Sequence, residues 1–336
     1  MSDILLIQPP IHDFYFTAKR TLPYGLACIA GVLRRDGFKA AIVDALATAK
    51  SKALDWPAEL DYLKPYFGRD DRSPFALFHR FRHFGYSYEH LVKQAKASGA
   101  NLIGISSLFS AYSDSALETA ARIRQALPQA RIVMGGHHPT ALPEAVMQHP
   151  CVDYVVRGDG EAGLPPLAAA LGRGASPEGT PGLVRRGRDG RLVVAPPAVV
   201  RDLEALPPPA FDLVDTSFYA RRGESAVTLS ATRGCPLRCT YCAVNAGTWH
   251  GYRRRSVAAV MRDLDAAGGQ PVGFIDFEDE NLNADKAWFH DLLTALELRF
   301  PGPRPELRAM NGLYAPSLDD RTVAHMKRAG FRTLNL

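Results

Sequence analysis

Three cysteines, Cys235, Cys239 and Cys242, crowd into eight residues of a 336-residue chain that has five in all. Their spacing, three residues and then two, fits a compact loop on which three sulfurs converge. That is a metal pattern rather than a disulfide framework. Zinc sites prefer four protein ligands, often as two Cys-x-x-Cys pairs. Here a fourth would have to come from Cys28 or Cys151, far upstream. Three thiolates leave one iron of a [4Fe-4S] cluster uncapped, and an uncapped iron can bind a substrate and drive its reduction. A catalytic iron–sulfur site is the reading this spacing favours; zinc and chance spacing are the alternatives.

Two upstream loops carry a different signal. Ser106-Ser107-Leu108 and Gly135-Gly136-His137-His138 each follow a short apolar run. A glycine pair at a strand end lets a flat or bulky ligand approach the backbone, because no Cβ stands in the way. A tight strand-to-helix turn would use the same glycines.

Both sets of residues need elements to position them. Ile4–Ile7, Ala40–Val43, Leu102–Ser106, Arg131–Met134 and Tyr154–Val156 read as strands of a parallel sheet. Gly25–Asp36, with Leu26, Ile29, Ala30 and Leu33 on one stripe, and Ser115–Leu127 read as helices between them. Alternating strands and helices imply an α/β doubly wound, Rossmann-like domain over residues 1–171, with ligands at the carboxyl ends of the strands. The segment Asp55–Ala100 holds Tyr62, Tyr66, Phe67, Phe75, Phe78, Phe81, Phe84, Tyr86 and Tyr88. Phe75, Phe78 and Phe81 recur every three residues, as on a packed helical face. The nearby His79, His83 and His90 receive no role.

Residues 172–224 shift toward Gly, Pro and Arg and read as a linker. Within it, Gly182–Arg186 and Arg191–Val194 flank Asp189-Gly190, a β-hairpin signature. Arg185, Arg186, Arg188 and Arg191 would then be a solvated face. Leu206-Pro207-Pro208-Pro209 makes a stiff extended spacer. From residue 225 to 336, strand and helix alternate again. Ala226–Ser230, Gly273–Phe277, Leu307–Asn311 and Phe331–Leu336 are the expected strands. Arg255–Ala267, Lys286–Phe300 and Thr322–Ala329 are the expected helices.

The bulk composition, 46% hydrophobic and 22% charged, excludes a disordered or collagen-like chain. The net charge of +5 hints at anionic small molecules and is too weak to argue for nucleic acid. No apolar run approaches the ~20 residues of a membrane span, and the N-terminus lacks a basic start and a cleavage site. A cytoplasmic protein without a membrane span is expected.

The cysteine triplet, with Tyr241 before its last member, resembles the signature of radical S-adenosylmethionine (SAM) enzymes. The whole chain resembles the subgroup with an N-terminal cobalamin (B12)-binding domain. Leu22-Pro23-Tyr24-Gly25-Leu26, Ser106-Ser107-Leu108, Gly135-Gly136-His137, Arg157-Gly158-Asp159-Gly160-Glu161 and Leu206-Pro207-Pro208-Pro209 match that subgroup's landmarks in order. The resemblance implies that Cys235, Cys239 and Cys242 hold a [4Fe-4S] cluster. It also implies that Ser106, Leu108, Gly135 and Gly136 line the pocket of the cobalamin nucleotide tail. Asp279 and Glu280, ending the second barrel strand, would sit with Tyr241 near the methionyl end of SAM. An acidic helix N-terminus ahead of Lys286 is the structural reading of the same carboxylates. The cobalt-ligating Asp-x-His-x-x-Gly element is absent, His12 and Asp13 standing in the wrong order, so cobalt without a His ligand is implied.

On this resemblance the activity is methyl transfer from cobalamin to an unactivated carbon through a 5′-deoxyadenosyl radical. Cyclisation or rearrangement on the same cofactors, or a non-catalytic cobalamin-binding module, are the alternatives. A small-molecule substrate and a reductant such as a flavodoxin or ferredoxin are the implied partners. The four strands counted after residue 225 are fewer than the family's (β/α) barrel has. A partial barrel, truncated after its fourth strand and belonging to a longer enzyme or completed by a partner, is therefore expected.

Overall fold

Apolar runs such as Ile4-Leu5-Leu6-Ile7 have no polar face to offer water, so they fold where both sides of a sheet are covered. The computed structural model describes residues 2–14, 22–66, 80–237, 239–242, 251–268, 271–309 and 311–334. Its first half runs β1 (Ile4–Gln8), β2 (Ile11–Asp13), α1 (Tyr24–Arg35), β3 (Ala40–Asp44), β4 (Ser51–Ala53), β5 (Arg82–Phe84) and α2 (Tyr88–Ser98). Then follow β6 (Leu102–Ser106), α3 (Ser113–Ala126), β7 (Arg131–Gly135), α4 (His137–Ala141), α5 (Pro143–Met147), β8 (Tyr154–Val156), α6 (Gly160–Gly172), β9 (Leu183–Arg186) and β10 (Leu192–Val194).

The main sheet has the order β10-β9-β8-β7-β6-β1-β3. Strands β3, β1, β6, β7 and β8 are parallel, so in chain order they stand as 2-1-3-4-5. Leu5, Ile7, Ile103, Ile105, Ile132 and Met134 pack on one face against α2 and α3. Ile4, Leu6, Leu102 and Val133 pack on the other against α1 and α6. Each strand thus divides its side chains between two helical layers. In this order the strand sequence reverses between β1 and β6, and ligands of doubly wound sheets bind in the crevice at the carboxyl ends there.

The hairpin expected in the linker instead extends this sheet. β9 pairs antiparallel with β8, and Leu183 and Val184 are buried in the core. Arg186, Arg188 and Arg191 of the basic cluster are exposed and Arg185 is half-buried; Arg186 also donates to the carbonyls of Met147, His149 and Val152, tying the hairpin to the end of α5. Strands β2, β5 and β4 form a small antiparallel sheet beyond the end of β1. Phe84 is buried in that sheet, and His12 on β2 lies 3.1 Å from His83 on β5. Phe67, Phe75, Phe78 and His79 of the aromatic segment lie outside the described residues.

The second half runs β11 (Ser225–Leu229), β12 (Thr232–Arg233), β13 (Arg253–Arg254), α7 (Val257–Ala266), β14 (Val272–Phe277), α8 (Lys286–Arg299), β15 (Glu306–Ala309) and α9 (Asp320–Ala329). β11, β14 and β15 form a parallel sheet in that order. Val227, Leu229, Ile275, Phe277 and Leu307 form a core with Phe289, Leu292, Leu293 and Met326 of the helices. Each helix starts on a polar cap: Ser256, Asp285 and Asp319 accept from the backbone N–H three residues on, satisfying donors the helix leaves orphaned. The fourth expected strand is reduced, among the described residues, to a single parallel bridge between Phe331 and Leu307; Asn335 and Leu336 lie outside them. No helix among the described residues is long and apolar enough to cross a membrane.

Candidate functional site

The cysteine loop leaves the carboxyl end of β11, and its two stems pair as β12 and β13, Thr232 opposite Arg254 and Arg233 opposite Arg253. Beneath the stems lies Asp279, 1% exposed. One carboxylate accepts from the backbone N–H of Ala231 at 3.0 Å, from that of Thr232, and from the Thr232 hydroxyl at 2.6 Å. Burial pushes Asp279 up to about 7, against the pull of those hydrogen bonds. Its oxygens face the loop backbone, so the structure gives this carboxylate the task of holding the loop. Glu280 accepts from the Gly234 N–H at 3.1 Å and is the more open of the pair.

All three cysteines are half-buried and free. The Cys242 N–H donates to the Cys239 carbonyl at 3.1 Å, so the last two share one turn. Among the described residues no three His, Cys, Asp or Glu side chains are set to close on a metal ion. A cubane cluster is broader than a single ion and spreads its thiolates further apart, so the fit rests on the chemistry of the donors. Three thiols on one short loop, with polar groups aimed at them, form a donor set for iron–sulfur. Asn281, 4% exposed, points its Nδ2 at the Cys235 sulfur from 3.6 Å. Its Oδ1 and the Glu278 Oε1 are buried with no partner in the structure. Asn281 was not among the residues expected from sequence; the polar run Glu278-Asp279-Glu280-Asn281 was the one signal that could have found it. Tyr241 stands 90% exposed beside Cys242.

At the carboxyl edge of the first sheet, Ser106 pairs with Gly135 in register. Ser107 is 2% exposed, and its hydroxyl is buried with no hydrogen-bond partner in the structure. Leu108 and Phe109 beside it are exposed, as is Leu142 after α4. Exposed apolar side chains and a buried hydroxyl without a partner are features to be explained at a sheet's carboxyl edge. The two glycines differ. A Cβ on Gly135 would meet only the Val156 carbonyl oxygen, at 3.5 Å, an ordinary contact. Gly136 has φ +117°, and a Cβ would collide with the Ser107 carbonyl. The fold itself requires glycine at 136, whereas Gly135 would accept a Cβ without collision.

The two halves meet between the start of α6 and the stems of the cysteine loop. Arg233, two residues before Cys235, bonds Glu161 at 2.5 Å and Asp159 at 3.3 Å, both at the start of α6. Arg253 on the other stem bonds Asp159 at 2.8 Å. Burial works against the Asp159 charge, yet Arg233 and Arg253 hold its carboxyl below the usual range. Leu206, Pro207 and Pro209 line a small cavity at this junction with Tyr24, Cys28 and Arg233. Burial there, with Glu161 nearby, pushes the Cys28 thiol up to about 12, which keeps it an inert core group. Asp159 and Glu161 stand out in the sequence only within the Arg157–Glu161 stretch, and their pairing with Arg233 depends on the chain path.

Residues 76–168 match the family described as B12 binding domain. Over 340 aligned residues the chain is 25% identical to cytidylyl-2-hydroxyethylphosphonate methyltransferase of Streptomyces wedmorensis, covering 91% of this chain and 60% of that protein. It is 29% identical over 204 residues to an uncharacterised methyltransferase of Pyrococcus horikoshii, covering 60% of this chain and 44% of the relative. The fold matches the radical SAM methyltransferase TsrM of Kitasatospora setae, solved with tryptophan and a SAM analogue, at a TM-score of 0.70 and 21% identity. That match covers 98% of this chain and 58% of TsrM. TsrM has also been solved with cobalamin and a [4Fe-4S] cluster bound. The chain spans between 44% and 60% of the length of these relatives.

Proposed function

We propose that this chain, which carries a B12-binding domain on a fold shared with radical SAM methyltransferases, is the cofactor-binding part of a cobalamin-dependent radical SAM enzyme that methylates an unactivated carbon. The observation that carries the reading is the cysteine triplet on a loop clipped directly to the carboxyl edge of the B12-binding sheet. When bound, the cluster supplies the electron that cleaves SAM, and cobalamin supplies the methyl group.

The chain's own residues bind and orient. Cys235, Cys239 and Cys242 hold iron through their thiolates. Asp279 fixes the first stem of the loop from below, and Asn281 directs an N–H at the Cys235 sulfur. Glu280, at the end of the second barrel strand, accepts hydrogen bonds from the ammonium of SAM. Tyr241, exposed beside the last cysteine, lies at the same end. The Ser106–Leu108 turn and Gly135 admit the nucleotide tail of cobalamin, and Gly136 shapes the turn that makes room for it. β11, β14 and β15, with the bridge at Phe331, are read as the opening strands of the radical SAM barrel. Residues 1–171 are read as the cobalamin unit, 172–224 as the connector with its hairpin docked on the first sheet, and 225–336 as the barrel part. A small organic molecule is the substrate, and a flavodoxin or ferredoxin the reductant.

Anaerobic reconstitution with iron and sulfide, followed by hydroxocobalamin, tests this directly. Absorption bands of both a cluster and a bound corrinoid are expected. With SAM and dithionite, 5′-deoxyadenosine is expected. Failure to retain either cofactor would reduce the chain to a non-catalytic module, and a cyclised rather than methylated product would move the reaction type.

A further inference from the structure

The geometry points to Arg233, Asp159 and Glu161 as positioning residues that fix the cysteine loop at one distance from the B12-binding face; this rests on the proposed function. One carboxylate holds both stems of the loop. Asp159 Oδ1 takes Arg233, and its Oδ2 takes Arg253, so the two chain ends that define the loop share a single partner. Glu161, two residues further on and 9% exposed, takes the second nitrogen of Arg233. Arg233 is separated from Cys235 by Gly234 alone. Gly234 has φ +79°, and a Cβ there would collide with the Gly251 carbonyl, so the backbone between clamp and cysteine is held tightly.

On the other side the clamp is wired to the B12-binding turn. The Thr140 N–H and hydroxyl both donate to the Gly136 carbonyl, at 3.1 and 2.7 Å. The Thr140 hydroxyl in turn accepts from the Gly158 N–H at 3.0 Å. The Asp159 N–H donates to the Ala198 carbonyl at 2.9 Å, and its Oδ2 accepts from the Val200 N–H at 2.8 Å. A Cβ on Gly158, at φ +80°, would collide with Ala198. A continuous run of hydrogen bonds and chain neighbours therefore leads from Gly136, through Thr140 and Gly158, to Asp159, Arg233 and Cys235.

Simple adhesion between the halves does not call for this arrangement. Elsewhere the halves are joined through the connector: Tyr219 bonds Asp44, Phe211 and Val214 pack with Leu22 and Ala27, and Glu204 bonds Ser256. Partly buried ion pairs gain little net stability over apolar packing, but they fix one geometry. Two reacting centres held by separate domains need such a fix, because a shift of about 1 Å can cost a hundredfold in rate.

The test uses the whole chain loaded with a cluster and cob(II)alamin, read by electron paramagnetic resonance. A reduced cluster held nearby speeds relaxation of the cob(II)alamin signal and raises its half-saturation power, and the effect falls steeply with distance. Asp159→Asn and Arg233→Met should keep iron and cobalamin stoichiometry yet lower that half-saturation power several-fold. Arg233→Lys should restore part of it, and Glu204→Ala, which removes both acceptors of Ser256 and touches no part of the clamp, should leave it unchanged. Wild-type half-saturation power in a fully loaded Asp159→Asn would overturn the inference; if that variant does not fold, full retention in Arg233→Lys with Glu161→Gln does so instead. A wild-type chain that takes up no cobalamin overturns the proposed function first, and the two failures are told apart by the stoichiometries.

Discussion

Single alanines at Gly135 and Gly136 should give opposite signatures, although the two residues are adjacent. Gly136 has φ +117° and ψ −175°, a region that only glycine occupies comfortably. Forcing alanine into such a conformation costs roughly 1–3 kcal/mol. Its Cβ would also stand 2.8 Å from the Ser107 carbonyl carbon and closer still to the oxygen. Relieving that overlap adds roughly 1–3 kcal/mol more. Gly136→Ala should therefore lose about 2–6 kcal/mol, a fall in Tm on the order of 10 °C. At Gly135 the nearest atom to a Cβ is 3.5 Å away, an ordinary contact. Gly135→Ala should leave the cobalamin-free protein equally stable, or up to about 1 kcal/mol more so through the stiffer unfolded chain. Its methyl group would, however, fill space at the sheet's carboxyl edge and weaken cobalamin binding. Thermal unfolding without cobalamin, and an absorption titration with hydroxocobalamin, read the two effects separately. An unchanged Tm for Gly136→Ala would refute the steric argument, and unchanged cobalamin affinity for Gly135→Ala would remove the ligand from this turn.

Alanine at Cys235, Cys239 or Cys242 should abolish iron retention, while alanine at Cys28 or Cys151, buried in the first half, should not; iron analysis after reconstitution decides. Asp279→Ala removes the acceptor of the Ala231 and Thr232 N–H groups and of the Thr232 hydroxyl, so iron uptake should fall sharply while the far-ultraviolet circular dichroism is retained. Asn281→Leu deletes the N–H aimed at Cys235 and should make the cluster harder to reduce, because hydrogen bonds to the sulfurs help set the potential; a redox titration with an unmoved midpoint would contradict this. Asp159 is held below the ordinary carboxylate value of about 3.9, so its contribution to stability is fully present above that pH and is lost as pH falls through the lower native value. Acid unfolding of the parent should accordingly be steeper than that of Asp159→Asn, a difference visible in a fluorescence titration.

Much of this molecule is dictated locally. The apolar runs at Ile4, Leu102 and Arg131, with helical stripes between them, specify a two-faced parallel sheet because burial on both sides is the one way to hide them. The cysteine spacing likewise needs nothing beyond its own loop to declare metal chemistry. The hairpin at Leu183–Val194 was legible as a hairpin, yet its docking on β8 was not, since pairing between strands far apart in sequence leaves no trace in either. The same limit explains Asp279. Its carboxylate looked available to a ligand until the fold laid the Ala231 and Thr232 backbone across it, and whether a carboxylate faces solvent or a neighbouring N–H is set by what packs above it. Gly135 and Gly136 are one dipeptide in sequence and two different constraints in space, because φ and the path of Ser107 are decided by the packing of β6 against β7. Most of all, the pairing of Asp159 and Glu161 with Arg233 and Arg253 joins residues more than seventy positions apart. Charge complementarity acts through distance in space, and that distance exists only once both halves have folded.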